Sequence, residues 1–183
     1  MIASKKDILL SQFEPDLAAK LLEFAHYLSS QRCDYFLFMS RKFCCLYDIL
    51  LSVGAPPVQY PIVSDKVLDL DVSALADKSV HVVDDIIVCG STMWKTKEKL
   101  LKDVGAKHVQ TSAFCVNEAW WVQTLNAPDY KAALLNDGRA MSFCTGIVNA
   151  LSIAPRPYAV DYPIYSNVDV KVIHWTRIVS SKD

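Results

Sequence analysis

Apolar residues follow two different patterns in the first part of the chain. At helical spacing they predict an amphipathic helix over residues 14–30, with Pro15 at its first position. The apolar positions of this helix are Leu17, Leu21, Phe24, Ala25 and Leu28. Residues 35–39 instead form an uninterrupted apolar run of strand length, which is typical of a strand buried on both faces.

The two patterns then alternate along the middle of the chain. Residues 43–53 predict a helix that ends at Gly54, and residues 58–63 predict a second strand, for which Pro61 favours an edge or irregular position. A third strand begins at residue 80, followed by a helix that ends at Gly105 and a strand over 107–116. This order predicts an α/β fold with a doubly wound, mainly parallel sheet.

The remaining segments carry weaker patterns. Residues 1–11 predict a polar start with a short apolar patch. After residue 117 the predicted elements are a short helix over 130–135, a turn over 136–139, a helix over 141–151 and a strand within 167–179.

Composition narrows the class of protein. The chain has 183 residues, of which 52% are hydrophobic and 21% charged, and this suits one globular domain. A net charge of −1 predicts no broad basic surface for nucleic acid. Six cysteines without metal-type spacing predict reduced thiols and a cytoplasmic location, and no apolar run approaches the ~18 residues that span a membrane.

The most informative stretch is residues 80–92. A β-branched run leads into two adjacent acids, Asp84 and Asp85, and then into a small-residue turn, Cys89-Gly90-Ser91-Thr92, before a helical pattern. Ionised carboxylates only accept hydrogen bonds, so a pair of them suits the hydroxyls of a ribose. A glycine and the free N–H groups of a helix start suit a phosphate. The stretch therefore predicts a sugar-phosphate site at the carboxyl end of a strand, where open α/β sheets bind ligands.

Two other interpretations of these residues remain open at this point. Acid-tipped strands occur in other doubly wound folds with different functions. A receiver-type acidic pocket also begins with a strand that ends in Asp-Asp, although that strand opens its domain and about eighty residues precede this one.

The stretch resembles the phosphoribosyl pyrophosphate motif of the type I phosphoribosyltransferases. The shared features are an apolar strand, two acids, a short run of mostly apolar residues and a small Gly/Ser/Thr-rich turn. The resemblance covers roughly residues 35–116. It implies a single phosphoribosyltransferase-like domain over 1–183, with the helix at 14–30 in front of this core and a C-terminal hood region over 117–183.

The resemblance also implies roles for individual residues. Asp84 and Asp85 would be catalytic and would hold the ribose hydroxyls, directly or through Mg²⁺. The phosphate and pyrophosphate groups would be bound by Arg41, Lys42, Cys89, Gly90, Ser91 and Thr92. Val88 departs from the pattern, because purine-specific members carry an acid there as a base and valine cannot transfer a proton. Cys89 stands where threonine or alanine is usual.

Three hypotheses about function follow from the resemblance. The chain is a transferase or glycosidic-bond enzyme that uses phosphoribosyl pyrophosphate or a nucleotide, a degenerate nucleotide-sensing regulator, or an interaction subunit that keeps only the fold. Similar phosphoribosyltransferase-like chains accompany reverse transcriptases in retron systems, so a bacterial defence effector is a variant of the first two. The apolar composition and the adjacent Trp120 and Trp121 predict a homodimer or hetero-complex.

Overall fold

The computed structural model describes residues 4–39, 41–55, 58, 61–63, 73–121, 126–153, 162–165 and 170–173. Its α-helices are α1 (Lys5–Leu10), α2 (Pro15–Ser30), α3 (Arg41–Ser52), α4 (Ser91–Lys99), α5 (Glu118–Trp121) and α6 (Asp137–Ile153). Its strands are β1 (Tyr35–Phe38), β2 (Pro61–Val63), β3 (Ser79–Ile87), β4 (His108–Asn117), β5 (Tyr130–Leu135), β6 (Tyr162–Tyr165) and β7 (Val170–Ile173). A π-helical turn, Leu100–Val104, extends α4.

The described strands form one sheet in the order β5-β4-β3-β1-β2-β6-β7. All neighbouring strands are parallel except β6 and β7, which pair antiparallel. The order 2-1-3-4-5 of the first five strands is one of the doubly wound arrangements. The predicted α/β fold with a mainly parallel sheet is therefore confirmed.

Helices cover both faces of this sheet. One face packs against α2, α3 and α6 through an apolar cluster that includes Phe24, Phe43 and Phe143. The other face packs against α4 and its π-helical extension through Met93 and Leu100. Because both faces are covered, the central strands are apolar at almost every position, as the continuous run in β1 indicated.

The N-terminal helices belong to the layer that contains α6. Arg139 in α6 forms ion pairs with Glu14 and Asp16, with N–O distances of 2.7 and 2.6 Å. A Cβ atom on Gly146 would lie 2.8 Å from the ring of Phe13, so this glycine permits the close approach of α6 to the turn before α2.

Several predicted elements differ from the structure. The predicted polar start contains α1, which Ser4 caps by accepting a hydrogen bond from the backbone N–H of Asp7. The predicted helix over 130–135 is strand β5, because pairing with β4 overrides the helical preference of its alanines and leucines. The predicted turn over 136–139 is the start of α6, where the side chain of Asn136 accepts a hydrogen bond from the N–H of Arg139.

Of the two positions predicted for β2, edge or irregular, the edge position was wrong. β2 lies between β1 and β6, and Pro61 occupies its first position, where a missing N–H is tolerated. The described segments after Asn117 do not stay on one side of the sheet. β5 pairs with β4 at one end of the sheet, whereas β6 and β7 extend the other end beyond β2.

Candidate functional site

The carboxyl ends of β1 and β3 lie side by side at one edge of the sheet. The two strands are neighbours in the sheet, with Phe38 paired to Val83. The chain after β1 enters α3 on one face, and the chain after β3 enters α4 on the opposite face. This divergence is the topological switch point at which doubly wound sheets bind their ligands. The amino ends of α3 and α4 are both placed at this edge, and each carries the partial positive charge of a helix start.

Asp84 and Asp85 lie inside β3, which continues for two residues beyond them to Ile87. Asp84 is half-buried, and its Oδ1 accepts a hydrogen bond from the backbone N–H of Asp85 at 2.9 Å. Asp85 is buried, with 3% of its surface exposed. The two predicted catalytic acids therefore occupy different environments, and their roles in catalysis and metal binding stay predictions.

The small-residue turn has the geometry of a helix start. Gly90 precedes α4 with φ 73°, a left-handed conformation that favours glycine. Cys89 is exposed, Ser91 is half-buried and Thr92 is exposed. The first N–H groups of α4 have no partner within the helix, so the turn can present donors to an anion. Its role in phosphate binding remains a prediction.

Gly90 has a neighbour that the sequence did not indicate. A Cβ atom at this position would lie 2.5 Å from the carbonyl oxygen of Asn126, which precedes β5. The glycine is thus required by the packing of the β4–β5 connection against the turn, and by its own backbone conformation. Nothing in the local sequence around Asn126 signals this long-range contact.

The same turn lowers the pKa of the Cys89 thiol. Its Sγ lies 3.2 Å from the Oγ of Ser91, and the two side chains share a hydrogen bond. Hydrogen bonds from the side chain and backbone of Ser91 lower the pKa of Cys89 below its ordinary value, and the charge of Lys95 adds to this effect. The turn therefore favours negative charge, as a phosphate site would.

The predicted pyrophosphate residues are described only in part. Arg41 and Lys42 begin α3 directly after β1, at the same edge as the turn, but their side chains lie outside the described residues. Val88 is 52% exposed between the acids and the turn. This position therefore presents an apolar side chain to solvent.

A polar contact at the ends of β4 and β5 was missed by sequence reasoning. The side-chain amide of Asn117, the last residue of β4, donates to Asp137 at the start of α6 at 2.5 Å. The side-chain oxygen of Asn117 accepts from the N–H of Ala119 at 2.9 Å. A polar residue that directly follows an apolar strand was the available signal for this contact.

A Mg²⁺ ion fits this edge only together with a ligand. Among the described residues, no group of three or more His, Cys, Asp or Glu side chains could hold a metal ion. Mg²⁺ typically binds one or two carboxylates, with substrate phosphates and waters completing its octahedron. The half-buried carboxylate of Asp84 suits this mode, with the donor oxygens of a bound pyrophosphate as further ligands.

Comparisons with known proteins agree with the fold. No protein-family model and no curated protein matches the chain. A solved structure of a hypoxanthine-guanine-xanthine phosphoribosyltransferase is similar, with a TM-score of 0.51 and 19% identity over 67% of this chain and 75% of that one. A purine phosphoribosyltransferase from Pyrococcus horikoshii Ot3 has 19% identity over 67% of this chain and 85% of that one, with a TM-score of 0.44. The first likeness establishes a phosphoribosyltransferase-type fold. Among the described helices, none has the length and apolar character of a membrane span.

Proposed function

We propose that the chain binds phosphoribosyl pyrophosphate or a nucleotide at the edge of the sheet where β1 and β3 end. The observation that carries this proposal is the convergence of two helix starts and one accessible acid at the switch point. The turn at residues 89–92 would bind the 5′-phosphate, and the start of α3 would bind the pyrophosphate. Asp84 would accept hydrogen bonds from the ribose hydroxyls.

The chemistry that fits this arrangement is pentosyl transfer. The bond between the ribose C1 and the pyrophosphate breaks, and its electron pair leaves with the pyrophosphate. The acceptor supplies the electron pair for the new glycosidic bond and loses a proton. The nearby carboxylate of Asp84 would stabilise the cation-like sugar electrostatically. A bound Mg²⁺ would neutralise charge on the leaving pyrophosphate.

A catalytically degenerate nucleotide sensor is the second candidate function. It is favoured by Val88, whose exposed apolar side chain cannot remove a proton from an acceptor. Binding would then use the same edge of the sheet, and the signal would be a ligand-dependent change in stability or assembly. A role in a defence complex receives no support from the comparisons.

Ligand-dependent melting tests both functions. Phosphoribosyl pyrophosphate with Mg²⁺ at one hundred times its Kd should stabilise the protein by about 2.7 kcal/mol and raise its melting midpoint. Asp84→Asn should lose most of this stabilisation, whereas Asp103→Asn, an exposed acid beyond α4, should keep it. An unchanged midpoint in the wild type would leave only the fold in common with the transferases.

Release of pyrophosphate separates the two candidates. A transferase should release pyrophosphate from the bound donor when a suitable base is added from a panel of purines and pyrimidines. A sensor should show the rise in melting midpoint but no pyrophosphate release with any base, in the wild type and in the Asp103→Asn control alike.

A further inference from the structure

The two adjacent acids of β3 point to opposite faces of the sheet. Side chains alternate along a strand, and Val82 and Val83 belong to the apolar clusters on the α4 face and the α6 face, respectively. Continuing this alternation places Asp84 on the α4 face. The residue paired with Asp84 in β4, Ala113, belongs to the same α4-face cluster.

Asp85 is enclosed on the other face. Burial raises the pKa of the Cys115 thiol above its ordinary value, and the charge of Asp85 raises it further, more than that of Asp84. Cys115 lies in the cluster that packs against α6, so Asp85 is the acid nearer to that layer. With 3% of its surface exposed, Asp85 has little area for contact with a ligand.

The main chain of Asp85 nevertheless contacts Asp84. Its N–H donates to Asp84 Oδ1 at 2.9 Å and holds one oxygen of the accessible carboxylate in place. A buried side chain restricts the orientation of its own peptide group. That peptide group in turn sets the rotamer of the neighbouring acid.

We propose that the two acids have different roles in ligand binding: Asp84 contacts the sugar or its metal ion, and Asp85 is a positioning residue that acts through its backbone N–H. This inference rests on the proposed function, because it assigns roles within the same site. It replaces the symmetric expectation that both carboxylates hold the ribose hydroxyls. The charge of Asp84 is then essential for binding, whereas only the shape and packing of Asp85 matter.

Variants that remove the charge or the packed shape of one acid at a time test whether Asp84 and Asp85 have different roles. The measurement is the Kd for phosphoribosyl pyrophosphate by calorimetry, with and without Mg²⁺, in four variants and the wild type. Asp84→Asn should weaken binding at least about tenfold, as expected for loss of a charged hydrogen bond, and should remove the effect of Mg²⁺. Asp85→Asn keeps the shape and the N–H, so it should weaken binding less than about threefold, close to the effect of a neutral substitution.

Asp85→Ala removes the packed side chain and should weaken binding more than Asp85→Asn while keeping the effect of Mg²⁺. Asp103→Asn is the matched control for the loss of one acid, and circular dichroism checks that each variant is folded.

Equal losses in Asp84→Asn and Asp85→Asn would overturn the division of roles while leaving the proposed function standing. Wild-type binding by Asp85→Ala would also overturn it. An absence of binding in the wild type would overturn the proposed function, and this inference would fail with it.

Discussion

The two halves of strand β3 differ in the solvent exposure of two ionisable side chains, His81 and Asp84. In the first half, His81 is fully buried, stacks on Phe36 with ring centroids 5.3 Å apart and shares a hydrogen bond with Ser112 at 2.8 Å. In the second half, Asp84 is half-buried and the turn after the strand is open. The same strand thus serves the core at one end and a candidate ligand site at the other.

This difference follows from the helical layers. The first half lies beneath α2, whose Tyr27 meets the edge of His81 with ring centroids 5.9 Å apart and stacks on Tyr130 at 3.7 Å. The second half ends where the chain leaves the sheet for α4. Burial therefore keeps His81 neutral inside the core, whereas Asp84, unlike the buried Asp85 beside it, retains partial contact with solvent.

The largest effect on the free energy of unfolding is expected for a substitution in the core around the first half of β3. Phe24 contacts the rings of Tyr27, Phe43, Phe114 and Tyr130 beside His81. Phe24→Ala should lower the free energy of unfolding by about 3–5 kcal/mol, the usual cost of a large cavity in a core. Urea denaturation measures this loss. Val148→Ala, on the exposed face of α6, should change stability by less than about 0.5 kcal/mol.

The next effect concerns the titration of His81. Burial lowers the pKa of His81 to about 4, although the charge of Asp129 opposes this shift. The unfolded chain has the ordinary pKa of 6.5 and takes up a proton first, so this contribution to stability is lost as the pH falls from 6.5 towards 4. The loss should reach about 3 kcal/mol, from roughly 1.4 kcal/mol per unit.

Unfolding curves between pH 7 and pH 4 test this expectation. His81→Gln cannot take up a proton in this range, so its stability should depend less on pH than that of the wild type. Parallel curves for the two proteins would show that folding does not lower the pKa of His81 and would remove the contrast between the halves of β3.

Two glycines with positive φ form a matched pair for substitution: Gly90 in the turn after β3, and Gly54 after α3. Gly90→Ala should cost about 2–3 kcal/mol, because it combines backbone strain with a Cβ atom 2.5 Å from Asn126. Gly54→Ala has φ 89° but nothing within 4 Å of its Cβ atom, so it should cost only about 1 kcal/mol. Equal losses by denaturation would show that Asn126 yields and that the turn is not packed as described.

The smallest effect tests the electrostatics of the turn. Ser91 is the main cause of the lowered pKa of Cys89, so Ser91→Ala should return that pKa towards its ordinary value. The rate of alkylation by iodoacetamide as a function of pH reports the thiolate fraction. Thr92→Ala, one residue further on, should leave this profile as in the wild type, and an equal shift in both variants would contradict the assignment to Ser91.

The sequence predicted the central elements well because their signals are local. A continuous apolar run marked β1, a β-branched run marked the first half of β3, and helical spacing marked α2. β5 was predicted as a helix because alanine and leucine favour helices, and only its pairing with β4 makes it a strand. The position of β2 inside the sheet likewise depends on β6, a strand about one hundred residues away in the chain.

What the sequence alone determined is the order of the central strands and helices and the presence of two acids before a glycine turn, because periodicity and turn chemistry act over a few residues. What only the tertiary structure decided is which groups are accessible. Asp85 is buried although the adjacent Asp84 is half-buried, the carbonyl oxygen of Asn126 lies against Gly90, and α3 and α4 leave the sheet on opposite faces. Burial depends on segments far apart in the chain, so it cannot be read from local pattern.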